Sequence, residues 1–267
     1  MTRQEQYNNI QVADNGWKLV WNEEFDGPEI DLSRWDYDID GHGWGNNELQ
    51  YYTRDKKNAY IEDSKLIIKA IKEEFEGSPY TSAKLVTRNK VDWTYGRFEI
   101  RAKLPQGQGI WPAFWMMSTD LEVHGDWPSS GEIDIMEMCG HEPNKVHGTL
   151  HMGNPHHYKG DCYILGSGVF ADDFHNFKLD WTPTQMRWYI DGELYYKSSE
   201  WYTRESGASG NRPYPAPFNK PFYLMLNLAV GGNWPGYPDE TTVFPQTLEV
   251  DYIRVYQPED GQYGAAE

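Results

Sequence analysis

Apolar residues recur at every second position in short runs along this chain, and helix-period patterns are scarce. The alternation predicts twelve strands, at 18–25, 65–71, 83–87, 97–103, 113–117, 132–139, 146–151, 176–181, 186–190, 194–197, 222–230 and 248–256. Clusters of Gly, Pro, Asn and Asp separate them, which suggests an all-β sandwich. Asp191-Gly192 falls between two of the runs as a two-residue hairpin signal. Turn-rich stretches occupy 26–58, 118–131, 152–173 and 198–221. Loops of that length in a compact domain usually serve function, and these are rich in Trp, Tyr and His, as cleft walls are. No internal repeat occurs. The pattern implies a single domain over 15–257, with tails at 1–14 and 258–267.

One run differs from the rest. Gly131-Glu132-Ile133-Asp134-Ile135-Met136-Glu137-Met138 alternates acidic with apolar residues. On a strand Glu132 and Asp134 share a face, while Glu137, five positions from Glu132, points to the other. A β-bulge of one extra residue would return Glu137 to the first face, and bulges often re-aim side chains beside active sites. Three carboxylates on one surface repel each other, and a usual reason to keep them is pKa separation. Taken alone, the motif is open to three readings. It fits a solvated strand face, a hard-cation site, or a glycosidase pair in which one carboxylate attacks and one acid donates a proton.

The neighbouring runs bear on the choice. Trp111, Ala113 and Trp115 share a strand face. Four steps of ~3.3 Å put the two indoles about 13 Å apart, a spacing that could flank neighbouring sugar subsites; either Trp could equally pack in the core. His147, Thr149 and His151 also share a face. A histidine beside paired carboxylates can orient or protonate them, although a histidine bonded in a polar interior fits the pattern as well.

Composition narrows the partners. The chain has 267 residues, 39% of them apolar, enough for a full core without metals or disulfides. Its 41 acids and 24 bases give a formal charge of −17. Phosphate binding needs clustered Lys and Arg, so nucleic acid is excluded, and strongly anionic polymers are disfavoured. The chain carries 12 Trp, 19 Tyr and 10 Phe. Aromatics suit strands, but this many Trp points to a flat apolar ligand face such as a sugar ring. The two cysteines, Cys139 and Cys162, lie outside any CxxC or zinc spacing. A bridge between them requires a Cα separation that sequence does not fix. No apolar run reaches transmembrane length. The polar N-terminus lacks an apolar leader, so the chain is expected to be cytosolic, or secreted and seen without its leader.

These residues together resemble glycoside hydrolase family 16, most closely its laminarinase-type endo-β-1,3-glucanases. The resemblance rests on GEIDIME at 131–137, WPAFW at 111–115 and VHGTLH at 146–151. It extends over most of the chain, from LVWNEEFDG at 19–27 through NNELQYY at 46–52 and YGRFE at 95–99 to NLAVGGNWPG at 227–236 and DYIRVY at 251–256. It implies a β-jelly-roll of two curved antiparallel sheets, with the substrate cleft on the concave face, and retaining hydrolysis by double displacement. Glu132 matches the nucleophile, Glu137 the general acid/base and Asp134 the assisting carboxylate. Met136 matches the insertion that marks this branch, the other branch having ExDxE spacing. Trp111 and Trp115 match the aromatic floor of the glycone subsites, Asn47 and Arg88 polar sugar ligands, and His151 the histidine near the acid/base. Trp127 is the next cleft-wall residue expected, and Glu48 a weaker one. The family often carries a structural cation on the convex side. The matching positions are Glu24, Asp251 and Ser64, where members commonly have Gly; a backbone carbonyl is the contact at Ser64, and such a set suits Ca²⁺.

The expected activity is endo-hydrolysis of β-1,3-glucan and of mixed-linkage β-1,3-1,4-glucan, with no cofactor for catalysis. The expected protein is a secreted monomer that binds neutral glucan and neither nucleic acid nor membrane. Two alternatives stay open. The scaffold could act on agar or carrageenan or as a transglycosylase, which shares the covalent intermediate. It could also be a non-catalytic glucan-binding protein, against which the presence of both glutamates speaks.

Overall fold

The alternating runs become two face-to-face sheets in the computed structural model, which describes residues 16–259 and 261. The first half of the chain gives β1 (Trp17–Glu23), β2 (Asp36–Tyr37), β3 (Gln50–Tyr52), β4 (Ala59–Glu62), β5 (Lys65–Phe75), β6 (Ser78–Ser82), β7 (Lys84–Val86), β8 (Gly96–Lys103) and β9 (Ile110–Ser118). A single-turn helix, α1 (Leu121–His124), follows. Then come β10 (Glu132–Glu137), β11 (Lys145–Met152), β12 (His157–Ile164), β13 (His175–Trp181), β14 (Met186–Ile190), β15 (Glu193–Ser198), β16 (Phe222–Val230) and β17 (Gln246–Pro258).

One sheet runs β15-β14-β13-β8-β17-β5-β6-β3, with β1 paired to β17 and β4 to β5. The other runs β12-β11-β10-β9-β16-β7-β2. Among the described residues only β3 and β6 pair in parallel. The molecule is the all-β jelly-roll sandwich expected. All twelve expected runs form strands, with ends shifted by a few residues. The stretches 26–58 and 152–173, expected as loops, hold β2, β3 and β12. The reason is visible in β12: it reads HYKGDCYI, pairs on one side only and is half-exposed or exposed throughout, so it has no buried face to impose alternation. The tail at 1–14 lies outside the described residues, as does most of 258–267, although Pro258 itself closes β17.

The core lies between the sheets. In β8, Phe98, Ile100 and Ala102 point inward and Arg97, Glu99 and Arg101 outward. In β11, Val146, Gly148, Leu150 and Met152 point inward, which leaves His147, Thr149 and His151 on the opposite face. Phe98, Phe177, Leu179, Trp181 and Trp188 meet Phe114, Met116, Ile133, Leu150, Leu224 and Leu226 in one cluster. Each such burial contributes about 1.5–3 kcal/mol. Asp191 (φ 50°) and Gly192 (φ 88°) make the β14–β15 turn, as their sequence required. Both cysteines are free thiols.

One inter-sheet contact reaches the functional face. Trp188 Nε1 donates to the main-chain carbonyl of Asp134 at 2.8 Å, through the core. Gly148 makes room for that indole: a Cβ there would lie 2.5 Å from Trp188 Cδ1 and 2.6 Å from Tyr195 Oη. Gly148→Ala should therefore destabilise the protein by about 1–3 kcal/mol through overpacking. Urea unfolding measures this, and a midpoint equal to wild type would show that Trp188 is free to shift.

Candidate active site

The site starts from a register shift. β10 lies between β9 and β11, and opposite β11 its pairs are Glu132 with His151, Asp134 with Thr149, and Glu137 with His147. Three positions along β10 thus answer two along β11. Opposite β9, Asp134 pairs with Trp115 but Met136 with Phe114, which places the extra residue at Ile135-Met136. Both bulged side chains are buried, Ile135 at 2% and Met136 at 0% exposure. The bulge therefore absorbs two apolar side chains in succession and returns Glu137 to the face of Glu132 and Asp134.

That face opens into a cleft of ≈ 680 Å³, with a deeper recess of ≈ 100 Å³ beneath it. Glu132 and Glu137 line both, and Asp134 lines the recess. Strand β9 supplies Trp111 and Trp115 to the floor, and β11 supplies His147, Thr149 and His151. Loops supply the walls: Trp44 and Asn46 before β3, Trp127 before β10, His156 before β12 and Trp234 after β16. The Trp234 ring meets Trp111 edge-on at 5.6 Å and His147 at 5.1 Å. In the recess the Lys84 ammonium sits 4.3 Å from the Trp44 ring and 4.6 Å from the Trp115 ring, and 3.5 Å from Asp38.

The carboxyls are hydrogen-bonded on unequal terms. Trp127 Nε1 donates to Glu132 Oε2 at 2.8 Å, and Trp111 Nε1 to Glu137 Oε1 at 3.2 Å. Asp134 is 1% exposed. Its Oδ2 lies 3.3 Å from His151 Nε2, which stands 3.9 Å from Glu132 Oε1. Burial is the largest cause moving all three upward. Glu132 is pushed up to about 8, with Asp134's charge adding to the push and His151 and Trp127 opposing it. Glu137 is raised well above the carboxylate range, by burial and then by repulsion from Asp134 and Glu132. Asp134 is raised by burial and held back by its hydrogen bond with Glu132. Glu137 is thus the acid held most firmly in its protonated form, while the Trp127 indole and His151 favour the charged form of Glu132.

The structure brings together Glu132, Asp134, Glu137, Trp111, Trp115, Trp127 and His151 among the residues singled out in the sequence. Asn47 and Arg88 stand further out. Asn47 donates to Asn233 Oδ1 at 2.8 Å, bracing two wall loops. Arg88 pairs with Asp38 and so reaches the recess only through the Asp38–Lys84 ion pair. The positions matched to a structural cation have their carboxylates engaged: Arg254 takes Glu24 at 2.8 and 2.9 Å, and Arg101 takes Asp251 at 2.6 Å. What Glu24 and Ser64 offer a cation is therefore main-chain carbonyl oxygen.

The sequence assigns no role to Lys84, Trp44, Asn46, Tyr52 and Asn227 in the recess, or to His156, Tyr158 and Trp234 in the cleft. Asn46 and Tyr52 lie inside NNELQYY, and Asn227 and Trp234 inside NLAVGGNWPG, which is the available signal. Lys84 gave none, because a lysine in a short strand usually faces solvent.

The chain is similar over most of its length to proteins of known kind. The family described as "Glycosyl hydrolases family 16" matches residues 45–254. A beta-glucanase of Rhodothermus marinus is 47% identical over 248 residues, covering 90% of this chain and 85% of the relative. The laminarinase catalytic domain of Thermotoga maritima MSB8 superposes with a TM-score of 0.80 at 44% identity, covering 91% of this chain and 98% of that one. SCLam, a non-specific endo-beta-1,3(4)-glucanase crystallised with a glucan oligosaccharide at its active site, gives 0.81 at 38% identity, covering 91% and 96%.

Two outcomes follow from the electrostatics. Trp127→Phe removes a donor that lowers Glu132, so the Glu132 titration should move to higher pH, read by carboxyl ¹³C NMR; an unchanged or lower midpoint would dismiss the indole as a partner. Glu137 holds its proton more tightly folded than unfolded, so its contribution to stability falls as pH rises above the ordinary carboxylate range. Glu137→Gln removes that penalty. It should raise the melting temperature at about pH 8 and change it little at about pH 4, where the carboxyl is protonated in both states. An equal shift at both pH values counts against the buried-acid assignment.

Proposed function

The chain belongs to glycosyl hydrolases family 16, and on that premise we propose that it is an endo-acting, retaining hydrolase of β-1,3-glucan that also cuts mixed-linkage β-1,3-1,4-glucan. The observation that carries this reading is the placement of Glu132, Asp134 and Glu137 on one face of a bulged strand, with burial holding Glu137 protonated, under an aromatic-walled cleft. The glucanases that the chain resembles support it.

The mechanism follows from the protonation pattern. Glucose rings stack on Trp111 and Trp115. Glu137 gives its proton to the glycosidic oxygen as that bond breaks, and Glu132 attacks the anomeric carbon to form a covalent glycosyl-enzyme. Glu132 reacts as its carboxylate, the form that the Trp127 indole N–H and His151 favour. Glu137, now a carboxylate, takes a proton from water. That water displaces Glu132, and the second inversion restores the β-anomer. A cleft lined on both sides by loops and open between them suits attack within a polymer. The same reading makes the protein a secreted monomer acting on neutral glucan. No helix among the described residues is long and apolar enough to cross a membrane. A structural Ca²⁺, which supplies no step of the reaction, would rest on the carbonyls of Glu24 and Ser64 and on the Asp251 carboxylate once released from Arg101.

Glu132→Ala should abolish release of reducing sugar from laminarin while oligosaccharide binding persists. Near wild-type turnover in that variant rejects Glu132 as the nucleophile. NMR of the first-formed product should show the β-anomer, and an α-anomer excludes double displacement. Glu137→Ala should cost about 10²–10⁴-fold on laminarin and far less on an aryl glucoside whose leaving group needs no proton. Equal losses on both substrates reject Glu137 as the acid.

A further inference from the structure

His156 belongs to the turn between β11 and β12, where neither the motif nor the mechanism gives it a task. Its Nε2 lies 2.9 Å from His151 Nδ1, with the two ring planes 14° apart. The turn is held from outside. Arg204 Nε and Nη2 both donate to the Asn154 carbonyl, at 3.0 and 2.9 Å. The Tyr202 ring packs on His157. Thr203 Oγ1 donates to the Ser129 carbonyl at 2.6 Å, just after Trp127, whose ring lies 4.8 Å from that of His156. The segment 202–204 therefore fixes the loops of Trp127 and His156 together.

A hydrogen bond between two imidazole nitrogens contains one proton, and a neutral imidazole carries only one. The direction of the His151–His156 bond therefore decides what His151 shows the carboxyls. If His156 donates, His151 carries its proton on Nε2, facing Asp134 Oδ2 at 3.3 Å and Glu132 Oε1 at 3.9 Å. If His151 donates, a bare Nε2 lone pair faces those oxygens. It then repels an ionised carboxylate, or accepts the proton of a neutral one. Asp134 Oδ2 is buried with no other hydrogen bond among the described residues, so the first arrangement is the one that satisfies it.

We propose that His156 is a positioning residue for the reaction: its Nε2–H donates to His151 Nδ1 and locks His151 as the Nε2–H tautomer that hydrogen-bonds Asp134. The donors then run in one direction, from His156 to His151 and from His151 to Asp134, which stands beside Glu132. The chain ends beside the carboxylate that attacks, so the inference rests on the retaining mechanism above. The other groups near His156 are Trp127 and Tyr158 on the cleft side, His157 next to it in sequence, and Arg204 across the turn, occupied by Asn154.

Imidazole ¹⁵N NMR of the wild-type protein, with both rings neutral, reads the tautomer without substrate. His151 should show a protonated Nε2 and a bare Nδ1. His156→Ala should give a mixture of His151 tautomers and lower kcat on laminarin by about tenfold, the worth of one hydrogen bond, with KM little changed. His156→Gln, which keeps an N–H donor but does not titrate, should restore both the His151 spectrum and most of kcat. A wild-type His151 protonated on Nδ1 overturns the proposal. So does a His156→Ala variant with wild-type kcat and an unchanged His151 spectrum. A wild-type protein inactive on laminarin would reject the glucanase reading, and the tautomer would still decide the role of His156.

Discussion

Three carboxyl groups have to share one buried face, and a single inserted residue makes that possible. Without the bulge at Ile135-Met136, the five-residue spacing would send Glu137 into the core side of β10, where a carboxyl has neither water nor a partner. With it, two apolar side chains go inward in succession and the acid comes out. The bulge also weakens pairing on both sides of β10 at that point. Trp188 compensates from the opposite sheet by donating to the Asp134 carbonyl, and Gly148 on β11 clears the space for it. Strand β10 is thus fixed from behind by a core tryptophan, and the carboxyls in front depend on packing in the other sheet.

Burial creates the chemistry and its cost together. Desolvation raises all three acids, but their surroundings separate them. Glu132 receives an indole N–H and faces a histidine, whereas Glu137 receives an indole N–H and the repulsion of two neighbours. The two glutamates on one strand are thereby given unequal hold on their protons, Glu137 the firmer. The free protein holds this arrangement against its own stability, as functional sites commonly do. A substrate that closes over the cleft strengthens each of these electrostatic terms by excluding water.

The sequence showed most of what packing dictates and little of what loops add. β8, β11 and β16 were legible because each buries a continuous face, and the bulge was legible because acids at positions 132, 134 and 137 fit no regular strand. β12 was not, since a half-exposed edge strand leaves its composition free. The same division runs through the site. Trp111, Trp115 and His151 lie on alternating strands, where register predicts the face. Lys84 is held by the rings of Trp44 and Trp115 and by Asp38, and Trp44 and Asp38 lie far from it in sequence or on irregular loops. His156 meets His151 only because Arg204 and Tyr202, some fifty residues downstream, shape its turn.

The recess also bears on which polymer the cleft accepts. Its lining includes four carboxyls, Glu48, Glu132, Asp134 and Glu137, and one ammonium, Lys84. Lys84 is already committed to Asp38 and to two indole faces, so it is a poor counter-ion for a ligand. Burial pulls its proton affinity down, and the neighbouring acids Asp38 and Glu48 hold it up. A sulfated or carboxylated sugar entering here would set a further charge against four carboxyls in a water-poor pocket, and the one ammonium among its lining residues is already paired with Asp38. At low effective dielectric that repulsion exceeds anything ring stacking could offset. A neutral glucose ring presents hydroxyls, which the carboxyls and the Asn46 and Asn227 amides can meet, and a flat apolar face for Trp111 and Trp115. The recess thus selects by charge before it selects by linkage, and the choice among neutral glucans falls to the loops that carry Trp44, Trp127, His156 and Trp234.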